Sequence, residues 1–179
     1  MPRKTGEAKA LSARITHLEM LAPPAHRVQM PMGPRLAVMR ARTMPLAFYR
    51  YLYEQVGKAH HWLFRRDTPD GELAAAIHAE HTEIQVLYVD GSPAGFFELD
   101  LSRLPEEAEV LYFGLTPDFQ GRGLAKFFLS EAVFAGWAHQ PRRLVIHTNT
   151  LDSPRALQLY QRIGFSPYAF SEESVTPWA

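Results

Sequence analysis

Apolar residues along this chain recur with two periods. In TEIQVLYVD (Thr82–Asp90), AGFFELDL (Ala94–Leu101) and AEVLYFGL (Ala108–Leu115) they alternate with polar ones, the period of a strand whose side chains point to opposite faces. GSP and RLPEE, the stretches between them, carry turn chemistry, so the three runs form an antiparallel meander. RLAVMRAR (Arg35–Arg42), RRLVIHTN (Arg142–Asn149) and PYAFSEESV (Pro167–Val175) read as further strands, and SARITHLEML (Ser12–Leu21) as a short one near the start. Helical spacing appears in MPLAFYRYLYEQVG, where Leu46, Tyr49, Leu52, Tyr53 and Val56 share a stripe, Pro45 fits a first turn and Gly57 a stop. ELAAAIHAEH, QGRGLAKFFLSEAVFAGWA and SPRALQLYQRIGF, the last closing at Gly164, are the other helices. KAHHWLFRRDTPDG reads as a loop, and APPAHRVQMPMGP holds too many prolines for a helix.

The order of these elements restricts the topology. A helix between AEVLYFGL and RRLVIHTN requires a crossover, which places those two strands parallel within a mostly antiparallel sheet. The expected fold class is therefore α/β, a mixed, mostly antiparallel sheet with flanking helices.

Composition narrows the function. With 179 residues, the chain has the length of one domain, read here as a flexible leader over 1–14 and a single unit over 15–179. Nineteen basic and nineteen acidic residues leave no net field to draw a nucleic acid or an anionic membrane, and favour a small-molecule partner. The chain has no cysteine, which excludes a disulfide framework, a thiolate nucleophile and a sulfur-ligated zinc, and fits a cytoplasmic location. MPRKTGEAKA lacks the apolar run of a signal peptide, and no stretch approaches the roughly 20 apolar residues that span a bilayer. His78-x-x-His81 has no third ligand motif beside it and reads as a solvated helix end, so no metal is expected.

FQGRGLAKFFL (Phe119–Leu129) is the first candidate for chemistry. A glycine-rich turn between a strand and a helix aims free N–H groups and the positive end of the helix dipole at one point, an arrangement suited to phosphate. The dinucleotide fingerprint fails because Lys126 stands where its third glycine belongs, and no Walker pattern exists in the chain. What remains is Gln120-x-x-Gly123-x-Ala125, with Thr116 and Pro117 just upstream. Small residues at Gly121, Gly123 and Ala125 permit close backbone approach, and Arg122 and Lys126 can add charge. Downstream, NTLDSPRALQLYQRIGF (Asn149–Phe165) places Ala156 and Tyr160 on one helical face, with Ser153 as cap and Pro154 at the first helical position.

Together the two stretches resemble the GCN5-related N-acetyltransferase superfamily, whose acyl-CoA pyrophosphate loop has the pattern Q/R-x-x-G-x-G/A at a helix start. Asn149, Ser153, Ala156, Tyr160, Gly164 and Phe165 match the second half of its signature, and the resemblance covers about Thr82 to Phe165. It implies an acyl-CoA N-acyltransferase fold in which acetyl-CoA lies between the parallel strands and an amine attacks it directly. It further implies cofactor contacts from Leu115, Thr116, Gln120, Gly121, Arg122, Gly123, Leu124, Ala125, Lys126, Asn149, Ser153 and Ala156. Backbone donors at Phe113, Gly114 and Leu115 would receive the thioester oxygen. Tyr160 is the candidate acid, and Glu109 the candidate base with Glu98 as its rival; core packing explains the tyrosine, and solvent-facing strand positions the glutamates, in the alternative reading. The amine pocket falls to Tyr49, Tyr53, His60, His61, Trp62, Phe64 and Glu98. An acyl-CoA-binding sensor without turnover is the competing function, and retention of Tyr160 and Asn149 argues against it. A homodimer paired through the final strand is the expected assembly, if there is one. Gly123→Glu, which puts bulk and negative charge at the pyrophosphate position, is expected to abolish CoA binding; unchanged affinity in calorimetry refutes the loop assignment.

Overall fold

The computed structural model describes residues 10–178 and contains a single seven-stranded sheet with four helices. In chain order these are β1 (Leu11–Met20), β2 (Leu36–Arg40), α1 (Leu46–Gly57), α2 (Asp70–Ile77), β3 (Thr82–Val89), β4 (Ser92–Asp100), β5 (Glu107–Leu115), α3 (Ala125–Trp137), β6 (Arg143–Asn149), α4 (Ala156–Ile163) and β7 (Ser166–Val175). The sheet order is β2-β3-β4-β5-β6-β1-β7, antiparallel throughout except for the β5–β6 pair. The meander and the crossover pair expected from the pattern are both present.

Three local differences have backbone causes. The first meander turn is Asp90–Gly91, not GSP: Val89 pairs with Ser92, and φ values of 48° and 86° at the two central residues are those of a type I′ hairpin. α3 starts at Ala125, not Gln120, because Gly121 and Gly123 take φ of 72° and 76°, which a right-handed helix cannot contain. α4 starts at Ala156 with Arg155 in the cap position, so Ser153 and Pro154 lie in a turn ahead of the helix, Arg155 N–H donating to Ser153 Oγ at 3.4 Å.

β1 departs furthest from expectation. It begins at Leu11, within the span read as leader, and lies between β6 and β7, pairing with both over most of its length. Residues 1–9 of that leader lie outside the described residues. β7 is thereby an edge strand held by β1 of the same chain. Among the described residues no helix is long and apolar enough to cross a membrane.

Each face of the sheet has its own core. α3 and α4 cover one face, where Leu18, Phe97, Val110, Phe128, Leu144, Ile146 and Tyr160 belong to one buried cluster. α1 and α2 cover the other over β3–β5, with Tyr49, Leu52, Tyr53, Leu73, Ile84, Phe96 and Tyr112 in the second. A Cβ at Gly114 would collide with Val56, so glycine at this position lets α1 pack directly onto β5.

A charged group lies inside this second cluster. Glu98 is 1% exposed, and its two oxygens accept from Tyr49 Oη at 2.6 Å and an Arg65 guanidinium nitrogen at 2.7 Å. Burial raises the carboxyl above its ordinary range, and Arg65 and the hydrogen bonds oppose that rise. Arg65 N–H also donates to Tyr53 Oη at 3.2 Å, which ties the 58–69 loop to α1. Removing one member leaves the others buried without partners, so Glu98→Ala should lower the unfolding free energy by about 3–5 kcal/mol. Urea denaturation checks this, and Glu98→Leu with Tyr49→Phe and Arg65→Met should recover most of the loss.

Candidate active site

β5 and β6 run side by side only from Glu107↔Arg143 to Val110↔Ile146. Beyond that point a bulge at Leu111, between the Leu99↔Val110 and Glu98↔Tyr112 pairs, keeps β5 on β4 while β6 follows β1. The strands part, and a cavity of about 740 Å³ occupies the opening. Side chains from both faces of the sheet line it: Val110, Phe113, Ile146 and Tyr160 from the α3/α4 face, Tyr53, Trp62, Tyr112 and His147 from the other. The opening therefore passes through the sheet.

On the α3/α4 face, Leu115, Gln120, Gly121, Ala125, Ser153, Ala156 and Tyr160 reach the cavity wall, and Asn149 reaches it from the end of β6. The turn is held from below, Gln120 Nε2 donating to the Leu115 carbonyl at 3.1 Å. Around Gly121 and Gly123 a Cβ would meet nothing within 4 Å, so these glycines serve the turn's left-handed backbone and leave the space above it open. The other expected contacts lie outside the wall. Thr116 is buried and donates to the Ala94 carbonyl through its N–H at 2.8 Å, Leu124 is 2% exposed, Arg122 lies over the Phe119 ring at 4.9 Å, and Gly123 and Lys126 are exposed. Asn149 fixes the loop that leads to α4, its Oδ1 accepting from Leu151 N–H at 2.8 Å and from Asp152 N–H at 3.1 Å.

Tyr160 packs against Phe113 and Phe165, with ring centroids 6.4 Å away in each case. Burial raises its phenol well above the usual value, and the nearby Asp152 carboxylate adds to the effect, so the hydroxyl keeps its proton.

On the opposite face, Tyr53, Trp62 and Tyr112 enclose the opening with centroid separations of 5.0–5.4 Å, joined by His60, His61 and Phe64 from the loop after α1. His60 Nδ1 lies 3.2 Å from the Leu151 carbonyl, and Trp62 Nε1 donates to Asp152 at 3.5 Å, so this loop is stitched to the one after β6. Two of the expected pocket residues are not at the wall. Tyr49 and Glu98 are beneath it, hydrogen-bonded to each other in the core. Glu109 is also off the wall: its oxygens face Arg103 at 2.8 Å and His147 Nδ1 at 3.2 Å.

Residues that sequence reasoning did not single out complete the site. His147 follows from strand alternation once the parting point is known, whereas Tyr112 does not, because the bulge at Leu111 moves it to the face opposite Val110. Asp152, Glu173 and, from β1, Ile15 at the wall, and Arg65 on Glu98 beneath it, depend on contacts between distant segments.

The family model described as the acetyltransferase (GNAT) family matches residues 45–165. No curated protein sequence matches the chain. Among solved structures it is similar to a GCN5-related N-acetyltransferase from Kribbella flavida, with TM-score 0.60 and 16% identity over 93% of this chain and 59% of that one. A tandem GNAT protein from the clavulanic acid biosynthesis pathway gives TM-score 0.58 and 14% identity over 93% and 55%. An aminoglycoside N-acetyltransferase in complex with CoA gives 0.55 and 20% over 77% and 92%. This chain thus spans little more than half the length of the first two.

Proposed function

Since the chain belongs to the acetyltransferase (GNAT) family, acyltransferases that use acetyl-CoA, we propose that it transfers an acetyl group to a primary amine of a small molecule or peptide by direct attack in a ternary complex. The observation that carries this reading is the cavity lined from both faces of the sheet, because a donor can enter on one side and an acceptor on the other and meet where β5 and β6 part.

On the donor side, the turn at Gln120–Ala125 and the start of α3 offer backbone N–H groups and a positive dipole to the pyrophosphate, while Ser153 and Ala156 flank the chain beyond it. When bound, acetyl-CoA supplies the thioester carbonyl and the thiolate that leaves. The end of β5, Phe113 to Leu115, borders the place where the carbonyl oxygen gains charge, and backbone donors there would stabilise it. Tyr160, kept protonated by burial, donates toward the departing sulfur. On the acceptor side, the rings of Tyr53, Trp62 and Tyr112 with the carboxylates of Asp152 and Glu173 suit an amine that arrives as a cation.

A panel of primary amines incubated with acetyl-CoA, read as free-thiol release with mass detection of the acetylated product, tests the activity; CoA binding with no product from any amine would favour the sensor instead. Tyr160→Phe should lower kcat on the order of 10²-fold with CoA affinity changed much less, and an unchanged kcat removes Tyr160 from the acid role.

A further inference from the structure

We propose that His147, oriented by Glu109, accepts the proton of the attacking amine. The inference deepens the acetyltransferase reading and rests on it. His147 is the third of the alternating positions Arg143, Val145, His147 and Asn149 on β6, which face away from the α3/α4 core that holds Leu144 and Ile146. It stands one residue past the last β5–β6 pair, at the start of the opening, and its side chain lines the cavity on the same face as Trp62 and Tyr112.

Glu109 cannot take the proton as readily. It is off the cavity wall, and its carboxylate is engaged by Arg103, itself paired with Glu107, as well as by His147. That arrangement fixes the imidazole instead. With Nδ1–H donated to Glu109, the neutral ring presents Nε2 as its acceptor, and Nε2 has no hydrogen-bond partner among the described residues.

The charged and titratable groups around the ring are Glu109 from β5, His17 from β1 with its ring centroid 6.2 Å away, Asp152 from the loop after β6 and Glu173 from β7. The hydrogen bond to Glu109 raises the His147 pKa above the ordinary imidazole value, desolvation opposes it, and Glu109, Asp152 and Glu173 add Coulombic attraction. The rise moves the base toward neutral pH, where a general base is most effective.

The amine that arrives as a cation first gives one proton to His147 Nε2, which frees its lone pair; the nitrogen then forms its bond to the acyl carbon and loses its second proton to solvent. The carbon–sulfur bond breaks, and the thiolate takes a proton from Tyr160, which solvent restores. Glu109 acts through His147 and is a positioning residue.

Two measurements test this. In the free protein, followed by NMR of the histidine ring protons, His147 should titrate above the ordinary value, and Glu109→Gln should lower it. With the best acceptor from the amine panel, kcat/KM should rise with pH through that same pKa. His147→Gln should remove this limb and lower kcat on the order of 10²-fold with CoA affinity unchanged, whereas Glu109→Gln should move the limb to lower pH. If the wild type transfers acetyl and His147→Gln keeps its rate and pH limb, or if Glu109→Gln moves neither titration nor limb, the inference is overturned. If the wild type acetylates no amine, the acetyltransferase reading fails first and this inference goes with it.

Discussion

β5 and β6 have to separate, and the rest of the molecule depends on how that separation is held. Parallel strands in register would close the gap with a hydrogen-bonded ladder, leaving no route between the two faces. The ladder stops after Val110↔Ile146 because each strand has a better partner elsewhere. β5, shifted by the bulge at Leu111, keeps its antiparallel pairing with β4 to Gly95↔Leu115, and β6 pairs with β1 as far as Ile15↔Asn149. Backbone groups at the parting are therefore satisfied on their outer sides, and only those facing the cavity remain for a ligand. The N-terminal strand belongs to the site in this sense: without β1, β6 would have no antiparallel neighbour to hold it away from β5.

The two mouths of the opening differ in chemistry because different elements build them. Glycines in left-handed conformation and the start of α3 make one side a backbone surface, suited to phosphate and indifferent to side-chain identity except for size. The other side is built of side chains carried by α1, the following loop and β5, and its shape depends on the Tyr49–Glu98–Arg65–Tyr53 network beneath it. Under the proposed reaction, specificity for an acceptor would reside on this second side, where a substitution can change a contact without disturbing the donor turn.

Legibility in the sequence followed the range of the interactions. The meander, the crossover and the helices come from local period and turn residues, and all were readable. The glycine turn was readable as well, although α3 starts at Ala125 and not at the turn itself, since positive φ at Gly121 and Gly123 excludes them from the helix. β1 was visible as a strand, but nothing local states that it inserts between β6 and β7, a pairing that joins Ile15 to both Asn149 and Ser171. Glu98 illustrates the same limit. Its place in FFELDL is consistent with a solvent-facing or a pocket-facing carboxylate, and burial is made tolerable by Arg65, contributed by a loop 33 residues earlier, together with the Tyr49 hydroxyl.

The absence of net charge conceals a local order. On the face of the sheet that α1 and α2 leave uncovered, Glu19, Arg143, Glu107, Arg103 and Glu109 form a continuous chain of ion pairs that ends on His147. The arginines of the row are partly exposed while Glu107 is buried, so Arg103 and Arg143 serve first to pair a carboxylate that the sheet takes out of water. Their effect here is positional: two arginines shared among three glutamates hold the Glu109 carboxylate where it meets the imidazole at the edge of the opening. The row thereby ends on the carboxylate whose hydrogen bond raises the proton affinity of His147, at the mouth where donor and acceptor would meet.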